Sequence, residues 1–169
     1  MTRRAAILGL GTRGSEWANV LHSAGWTLTG FDPDPGVPSP EFGNDFNRCQ
    51  TISETVAHAS WVVLCLPDRL ELMRKVMQRA QSEAVDGTVF AVASVEFDID
   101  AIQTCALKPA TTIRVIDNGD GGYTVDLSSK CDGVTRTEAV SILTELAATR
   151  SQDSTDVACN YPFDDAESA

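Results

Sequence analysis

Basic residues are few in this sequence and long apolar runs are missing, and both absences narrow the classes of protein that it can encode. Thirteen lysines and arginines stand against 24 aspartates and glutamates, which gives a formal net charge of -11. An acidic surface of this kind repels nucleic acid and anionic lipid, so we expect neither as a partner. No stretch approaches the roughly 18 consecutive apolar residues that a membrane-spanning helix needs.

Cysteine and histidine lack the patterns that carry metal or disulfide chemistry. The five cysteines are odd in number and include no Cys-x-x-Cys pair, so we predict neither a disulfide framework nor a metal site. Of the two histidines, His22 lies outside the apolar stripe of a predicted helix, and His58 lies near the end of another. We therefore expect both to be surface residues rather than catalysts. Three glycines interrupt the only segment that resembles a signal peptide, which favours a cytoplasmic protein.

Short apolar runs and helical patterns alternate along the chain. The longest apolar run, residues 61–66, is typical of a central parallel strand that is covered on both faces. The alternation predicts an α/β fold with a doubly wound, mainly parallel sheet. We expect one folded domain over residues 1–150 and an acidic C-terminal tail over 151–169. Strands are predicted at 5–8, 26–31, 61–66, 88–93, 112–116 and 123–127.

The segments between these strands give more specific predictions. Four prolines between residues 33 and 40 indicate a surface loop over 32–48. Helices are predicted over 51–59, from the Pro67-Asp68 pair onward, and over 98–106. A capping-box pattern at 135–138 predicts the start of a last helix. The residues of that helix expected to face inward are Val140, Leu143, Leu146 and Ala147.

The segment Gly9-Leu10-Gly11-Thr12-Arg13-Gly14 has the spacing G-x-G-x-x-G between a predicted strand and a predicted helix. In such a turn Gly9 permits the tight bend, Gly11 lets the backbone approach a pyrophosphate, and Gly14 lets the helix pack against the strands. The free amides at the helix N-terminus, which include that of Thr12, then meet the phosphates. Arg13 is a further candidate for a phosphate contact.

Asp32 stands at the end of the second predicted strand, where a carboxylate can accept both hydroxyls of the adenosine ribose. Asp32 and Asp34 would repel a 2′-phosphate, and no arginine follows directly, so NAD is favoured over NADP as the cofactor. The alternative reading of Asp32 is a simple Asp-Pro turn. S-adenosylmethionine and FAD remain alternative ligands for the turn as a whole.

The glycine-rich turn, Asp32, Thr51-Ile52-Ser53-Glu54 and the segment from Leu66 to Val76 together resemble the NAD-binding domain of L-3-hydroxyacyl-CoA dehydrogenases. The resemblance extends over residues 4–148 and is strongest after the third predicted strand, where Leu66 and Pro67 become candidate cofactor contacts. The related 3-hydroxyisobutyrate and 6-phosphogluconate dehydrogenases are similar at the first motif only. The resemblance implies a Rossmann fold, NAD as the cofactor and oxidoreductase ancestry.

The resemblance also implies catalytic residues, and most of them have no counterpart in this sequence. The family's glutamate is replaced by Leu64, its histidine loop is replaced by residues 116–123, and its helical C-terminal domain has no equivalent. A family serine does have a counterpart in Ser94, although a turn residue is an equal reading. The catalytic candidates are therefore Ser94, Asn118 and Tyr123, with Asp117 and Asp120 as weaker acid/base groups, and a flexible hairpin is the alternative for this loop.

Two functions follow from these patterns. The first is an NAD-dependent oxidoreductase that acts on a small hydroxy or oxo compound or on a CoA ester. The second is a non-catalytic NAD(H)-binding sensor or a subunit of a larger complex, which the lost Glu-His pair favours. In both cases we expect a homodimer or a partner chain, because a lone NAD domain leaves the nicotinamide side of the cleft open.

Overall fold

A seven-stranded sheet forms the centre of the computed structural model, which describes residues 3–104 and 106–159, with side chains up to residue 152. The strand order is β3-β2-β1-β4-β5-β6-β7, and only the β6–β7 pair is antiparallel. The predicted doubly wound, mainly parallel α/β fold is confirmed. The strands are β1 Arg4–Leu8, β2 Thr27–Phe31, β3 Phe46–Arg48, β4 Trp61–Leu64, β5 Val89–Ala93, β6 Thr112–Asp117 and β7 Tyr123–Asp126.

Five α-helices in the described part of the chain cover the two faces of the sheet. They are α1 Thr12–Ser23, α2 Ile52–Val56, α3 Leu70–Glu83, α4 Ile99–Gln103 and α5 Gly133–Cys159. The first and last of them cover one face, where Trp17 and Leu146 are buried, and the other three cover the opposite face through residues such as Met77. Every residue of the two central strands β4 and β5 is buried, as the apolar runs there predict.

The predicted loop over residues 32–48 ends in a short strand, so that prediction is wrong at its C-terminal end. Residues 43–45 form a 3-10 turn, and β3 then pairs in parallel with β2. A three-residue edge strand is too short to show any periodicity. Its Phe46 lies against Gly30, where an added Cβ would come within 2.6 Å of the phenylalanine ring, so the pairing depends on a contact with a distant residue.

The last helix, α5, begins earlier than the capping-box pattern predicts. Asp132 caps it, because its Oδ1 accepts the backbone N–H of Thr135 at 2.7 Å. The inward stripe consists of Ala139, Ile142, Leu143 and Leu146, whereas Val140 is 50% exposed, so its predicted burial is wrong. Leu143 and Leu146 are buried as predicted, Ala147 is half-buried, and the rest of the stripe consists of Ala139 and Ile142.

Three other helices differ from the predictions by a few residues at their ends. Helix α3 begins at Leu70 because Arg69 still has an extended backbone, with φ -127° and ψ 110°. The helices predicted over 51–59 and 98–106 are shorter at both ends. Helix α5 passes through the predicted domain boundary at residue 150, and residues 160–169 of the predicted tail lie outside the described part, so that division stays a prediction. No helix in the described part is long and apolar enough to cross a membrane.

Candidate functional site

The sequence-predicted site residues lie along one edge of the sheet, where the parallel strands have their carboxyl ends. The glycine-rich turn joins β1 to α1, and Asp32 directly follows β2. Leu66 and Pro67 follow β4, and Ser94 follows β5. Tyr123 begins the antiparallel strand β7 and so lies at the same edge. Ligands of open α/β sheets bind at this edge, so residues that are distant in sequence are brought to one ligand-binding position.

The three glycines of the turn have different physical tasks. Gly9 has φ +99°, and a Cβ there would lie 2.2 Å from the carbonyl oxygen of Cys65. A Cβ at Gly14 would lie 1.8 Å from the carbonyl oxygen of Gly9, so this glycine allows α1 to pack on the turn. A Cβ at Gly11 would meet nothing within 4 Å, so the space above it is open to a ligand. This division of tasks agrees with the sequence-based interpretation.

The N-terminus of α1 has the features of an anion site. Gly11 is its N-cap, no side chain caps the helix, and its first turn contains no acidic residue. The amides of the first turn and the positive end of the helix dipole are therefore directed toward the open space above Gly11. A pyrophosphate fits this arrangement, because it needs close backbone approach and several N–H donors.

Asp32 links the end of β2 to the glycine-rich turn. Its Oδ2 accepts the backbone N–H of Leu10 at 2.9 Å, and its Oδ1 accepts that of Asp34 at 2.9 Å. The carboxylate is therefore held in one orientation, and each oxygen keeps a further lone pair for a hydroxyl donor. An adenosine ribose fits beside it, whereas a 2′-phosphate would meet the negative charges of Asp32 and Asp34.

Arg13 reaches away from the turn toward the middle of the sheet edge. Its Nη1 donates to the carbonyl oxygen of Ala93 at 2.8 Å, and its Nη2 lies 3.7 Å from Oδ2 of Asp68. The guanidinium therefore connects the start of α1 to the ends of β4 and β5. Its contact with a phosphate stays a prediction, since the structure places its charge near the neighbouring cleft.

A cleft of about 620 Å³ opens beside Arg13 at the ends of β5 and β6. Its walls are the exposed side of α1, the ends of these two strands, the start of β7 and a late turn of α5. A volume of this size is in the range of small-molecule sites. The side chains with polar or aromatic groups at its surface are Arg13, Glu16, Trp17, Asn19, Ser94, Asp117, Tyr123 and Arg150.

Tyr123 lies at the centre of a cluster of aromatic and charged groups in this cleft. Its ring centroid lies 5.0 Å from that of Trp17, and the guanidinium carbon of Arg150 lies 5.1 Å from the ring centroid on the tyrosine. Arg150 in turn lies 3.1 Å from Oδ1 of Asp117. Burial raises the pKa of the Tyr123 phenol, and the nearby Arg150 opposes this shift. The phenol therefore keeps its proton at neutral pH.

The other two catalytic candidates have structural contacts of their own. The Ser94 Oγ accepts the backbone N–H of Phe97 at 3.4 Å, so the side chain supports the turn after β5 although it borders the cleft. Asn118 is exposed in the β6–β7 hairpin, where its Oδ1 accepts the hydroxyl of Thr124 at 2.8 Å. The segment predicted as a flexible hairpin does form a hairpin, with Asp117 paired to Tyr123 across the two strands.

The positions that would carry the family's Glu-His pair hold neither a glutamate nor a histidine. Leu64 is fully buried, and the histidines lie elsewhere: His58 is exposed after α2, and His22 is stacked on Phe42 and lies 3.1 Å from Asp45. Among the described residues that line the cleft there is no histidine. The described part also holds no group of three or more His, Cys, Asp or Glu side chains that could hold a metal ion.

Three residues at this edge were not identified from the sequence. Arg150 lies where the domain was expected to end, and Trp17 is a buried residue of α1 outside the glycine-rich turn. Arg48 belongs to the edge strand that was interpreted as loop. None of them belongs to a short motif. Arg48 and Arg150 reach the site only through long-range packing, whereas Trp17 follows the glycine-rich turn on α1.

Comparison with known proteins identifies one matching family model. Residues 4–125 match the model of the NAD binding domain of 6-phosphogluconate dehydrogenase. The match extends far beyond the glycine-rich turn, so the expectation that similarity to 6-phosphogluconate dehydrogenases is limited to the first motif is wrong.

Two curated relatives are dehydrogenases. The chain is 27% identical over 130 residues to the L-carnitine dehydrogenase/betainyl-CoA thioesterase of Ruegeria pomeroyi. This alignment covers 64% of this chain and 26% of that protein. It is 25% identical over 131 residues to the L-carnitine dehydrogenase of Streptomyces griseus, in an alignment that covers 66% of this chain and 39% of that protein. The chain thus spans well under half the length of either relative.

A solved structure with the same fold is that of (S)-3-hydroxybutyryl-CoA dehydrogenase from Ralstonia eutropha. The two share 10% sequence identity and superpose with a TM-score of 0.76, over 87% of this chain and 62% of the other. At this identity the likeness concerns the fold, and it agrees with the Rossmann architecture described above.

Proposed function

The chain belongs to the family of the NAD binding domain of 6-phosphogluconate dehydrogenase, and from this premise we propose that it is an NAD-dependent oxidoreductase of small hydroxy or oxo compounds. The family match confirms NAD as the cofactor, and the predicted kinship with dehydrogenases of this superfamily is confirmed with it. The observation that carries the proposal is the 620 Å³ cleft, which opens directly beside the glycine-rich turn at the carboxyl edge of the sheet.

The cofactor would extend along this edge from the turn toward the cleft. In the proposed placement the pyrophosphate lies on the first turn of α1, next to Gly11 and Thr12, and the adenosine ribose donates to Asp32. Leu66 and Pro67 would contact the middle of the molecule, since they follow β4 beside the turn. The nicotinamide end would then reach β5 and Ser94. The open space above Gly11 and the fixed carboxylate of Asp32 support this placement.

A small acid is the proposed substrate of a cleft that is lined by charges of both signs. Arg13 and Arg150 are positive, Glu16 and Asp117 are negative with Asp117 paired to Arg150, and Trp17 and Tyr123 supply apolar surface. A hydroxy or oxo acid offers a carboxylate to the arginines and a carbon skeleton to the rings. Carnitine dehydrogenases act on a compound of this kind by their names, and a CoA ester would place only its acyl end in a cleft of this size.

The chemistry can be assigned to this chain's residues in the direction of reduction. Bound NADH supplies the reducing equivalent. Tyr123 would donate the phenolic proton to the substrate's carbonyl oxygen as that oxygen becomes a hydroxyl group, because the phenol lines the cleft and carries its proton at neutral pH. The contact between Arg150 and the tyrosine ring fixes the position of the phenol, and Trp17 excludes water from one side of it.

The second candidate function is a non-catalytic NAD(H)-binding sensor or subunit. It is favoured by the full burial of Leu64 and by the distance of both histidines from the cleft, which leave the superfamily's usual acid-base pair without a counterpart. On this reading the cleft would serve as a docking position for a small acid or a partner chain without turnover.

One experiment distinguishes the two functions. Calorimetric titrations with NAD, NADH, NADP and S-adenosylmethionine establish which ligand binds, and the absorbance of NADH is then followed with 3-oxo acids, acetoacetyl-CoA and the oxidised form of carnitine. Consumption of NADH with any of these substrates supports the oxidoreductase. Tight NADH binding without turnover of the whole series favours the sensor, and binding of none of the nucleotides contradicts both.

The proposal includes a cytoplasmic location and a homodimer or a partner chain. Cys49, Cys65 and Cys131 are free thiols, which suits a reducing compartment. A second chain would cover the outer side of the cleft and exclude water from the nicotinamide end. Light scattering of the protein with saturating NADH tests this, and a monomer that turns over substrate would contradict the need for a partner.

A further inference from the structure

Arg48, at the end of β3, binds the loop that follows Asp32. We call residues 32–39 the ribose loop. The Nη2 of Arg48 donates to the carbonyl oxygens of Asp34 at 2.8 Å and Asp32 at 3.4 Å. Its Nη1 donates to the carbonyl oxygen of Val37 and to the hydroxyl of Ser39, the latter at 3.3 Å. One guanidinium therefore gathers four acceptors spread over eight residues.

The hydrogen bonds within the ribose loop join residues two or three positions apart, and all of them involve Asp32 or Asp34. The N–H of Asp34 donates to Oδ1 of Asp32, and that of Gly36 donates to Oδ1 of Asp34 at 2.8 Å. The N–H of Val37 donates to the carbonyl oxygen of Asp34 at 3.2 Å. Such turns are only marginally ordered by themselves, because each bond replaces one with water. Arg48 ties them to the end of β3, and the bond between Asp32 and the N–H of Leu10 ties the start of the loop to the end of β1.

We propose that Arg48 is a positioning residue for the adenosine end of the cofactor. By closing the ribose loop it holds Asp32 in the orientation in which Oδ2 meets the N–H of Leu10 and the carboxylate faces the ribose. This inference rests on the proposed placement of the ribose at Asp32. It adds a residue on β3 that acts through the backbone carbonyls and touches no part of the cofactor.

The same contacts determine what Arg48 does not do. Both terminal nitrogens are engaged with the ribose loop, so the guanidinium is held away from a 2′-phosphate. Although the positive charge of Arg48 lies close to Asp32, we therefore expect NAD to be preferred over NADP. Arg48 could also act through its positive charge alone. The variant Arg48→Lys distinguishes this role from positioning, because lysine keeps the charge but lacks the planar guanidinium that spans several carbonyls.

The test compares the full chain with the variants Arg48→Met and Arg48→Lys by calorimetry. The ligands are ADP-ribose, which contains the adenosine end, and reduced nicotinamide mononucleotide, which lacks it. If the loop is closed in about one tenth of the Arg48→Met molecules, the Kd for ADP-ribose rises about tenfold, because affinity falls with the competent fraction. The Kd for the mononucleotide is expected to stay unchanged. Arg79→Met, an exposed arginine on α3, is the matched control.

A second readout follows the loop directly. Hydrogen exchange of the Asp34, Gly36 and Val37 amides is expected to accelerate in Arg48→Met and Arg48→Lys without ligand, while exchange in β4 and β5 stays unchanged. Full recovery of ADP-ribose affinity in Arg48→Lys overturns the positioning role, as does equal weakening of both ligands or an unchanged Kd. If Asp32→Ala binds ADP-ribose with unchanged affinity, the proposed placement of the ribose at Asp32 is wrong. The hydrogen-exchange rates then still show whether Arg48 keeps the ribose loop closed.

Discussion

The carbonyl oxygen of Gly9 lies so close to the α-carbon of Gly14 that a Cβ on Gly14 would stand 1.8 Å from it. This contact packs the first turn of α1 onto the end of β1. At Gly11, two residues after Gly9, a Cβ would meet nothing within 4 Å. The structure thus separates a glycine that the fold requires from a glycine whose open side is available to a ligand.

Gly14→Ala is expected to destabilise the protein strongly. The new methyl group would contact backbone rather than a flexible side chain, so the helix must shift, and overpacking of this kind costs about 1–3 kcal/mol or more. Thermal unfolding followed by circular dichroism measures the effect. Gly11→Ala is the matched control, and its melting temperature should stay within a few degrees of the parent protein. Equal melting temperatures for both variants would contradict the packing role of Gly14.

Asp32→Asn is expected to reduce the preference for NAD over NADP. The amide oxygen can still accept one backbone N–H, but the negative charge that repels a 2′-phosphate is gone. Loss of a charge-assisted hydrogen bond to the ribose should weaken NAD binding about tenfold or more. Calorimetric titration of both cofactors gives the two values.

The control for this substitution is Asp34→Asn, which removes a charge of the same sign two residues away. Its side chain bonds within the ribose loop, to the N–H of Gly36. We expect a smaller loss of NAD affinity there. A larger effect at Asp34 than at Asp32 would place the ribose elsewhere.

Tyr123→Phe tests the proton donor of the proposed reaction. The ring keeps its packing against Trp17 and Arg150, while the phenolic proton and the hydrogen bond to Arg150 are lost, so kcat for reduction should fall about a hundredfold with little change in NADH affinity. Because burial raises the pKa of this phenol above its ordinary value of 10, the group is protonated below that value. The parent rate should therefore be level from pH 7 to 9, as far as this group is concerned, and fall only above pH 10. Unchanged turnover in Tyr123→Phe rules out the assignment.

The ion pair between Arg3 and Glu145 joins the start of β1 to α5 and should make stability depend on pH. Nη1 of Arg3 donates to Oε2 of Glu145 at 2.7 Å, and this hydrogen bond lowers the pKa of the glutamate below its ordinary value of 4.5. A lowered folded pKa contributes stability above pH 4.5 that is lost as the pH falls through the folded value. Both side chains are about 40% exposed, so the contribution is small, about 0.5 kcal/mol.

Urea unfolding of Glu145→Gln at several pH values measures this contribution. The variant should be less stable than the parent protein at pH 7, and the difference should shrink as the pH falls below 4.5. Glu138→Gln removes a carboxylate from the same helix and serves as the control. A difference that grows toward acid pH would have the wrong sign for this pair.

Much of the fold could be predicted from the sequence because its signals are local. The apolar runs at 61–66 and 88–93 mark strands that are buried on both faces, and the glycine spacing marks the β1–α1 turn. The edge strand β3 could not be predicted, since its three residues are held by pairing with β2 and by the contact of Phe46 with Gly30. Where pairing with a distant segment decides the structure, periodicity carries no information.

The candidate site shows the same division. Asp32 and the three glycines belong to a motif whose spacing follows from the chemistry of a pyrophosphate and a ribose. Arg150 and Arg48 reach the site from a late helix and an edge strand, and their positions depend on how α5 and β3 pack. The sequence therefore predicts the cofactor half of the site, whereas the cleft and the ribose loop become visible only in three dimensions.

Calorimetric titration of NADH into the parent protein and into Gly11→Val tests the central claim most directly. The substitution fills the open space above the first turn of α1, where the pyrophosphate is proposed to lie, and its backbone φ of -68° is accessible to valine. We predict NADH binding to the parent protein and no measurable binding to Gly11→Val, with unchanged near-ultraviolet circular dichroism. NADH binding of equal affinity to a folded Gly11→Val protein would contradict the dinucleotide site described here.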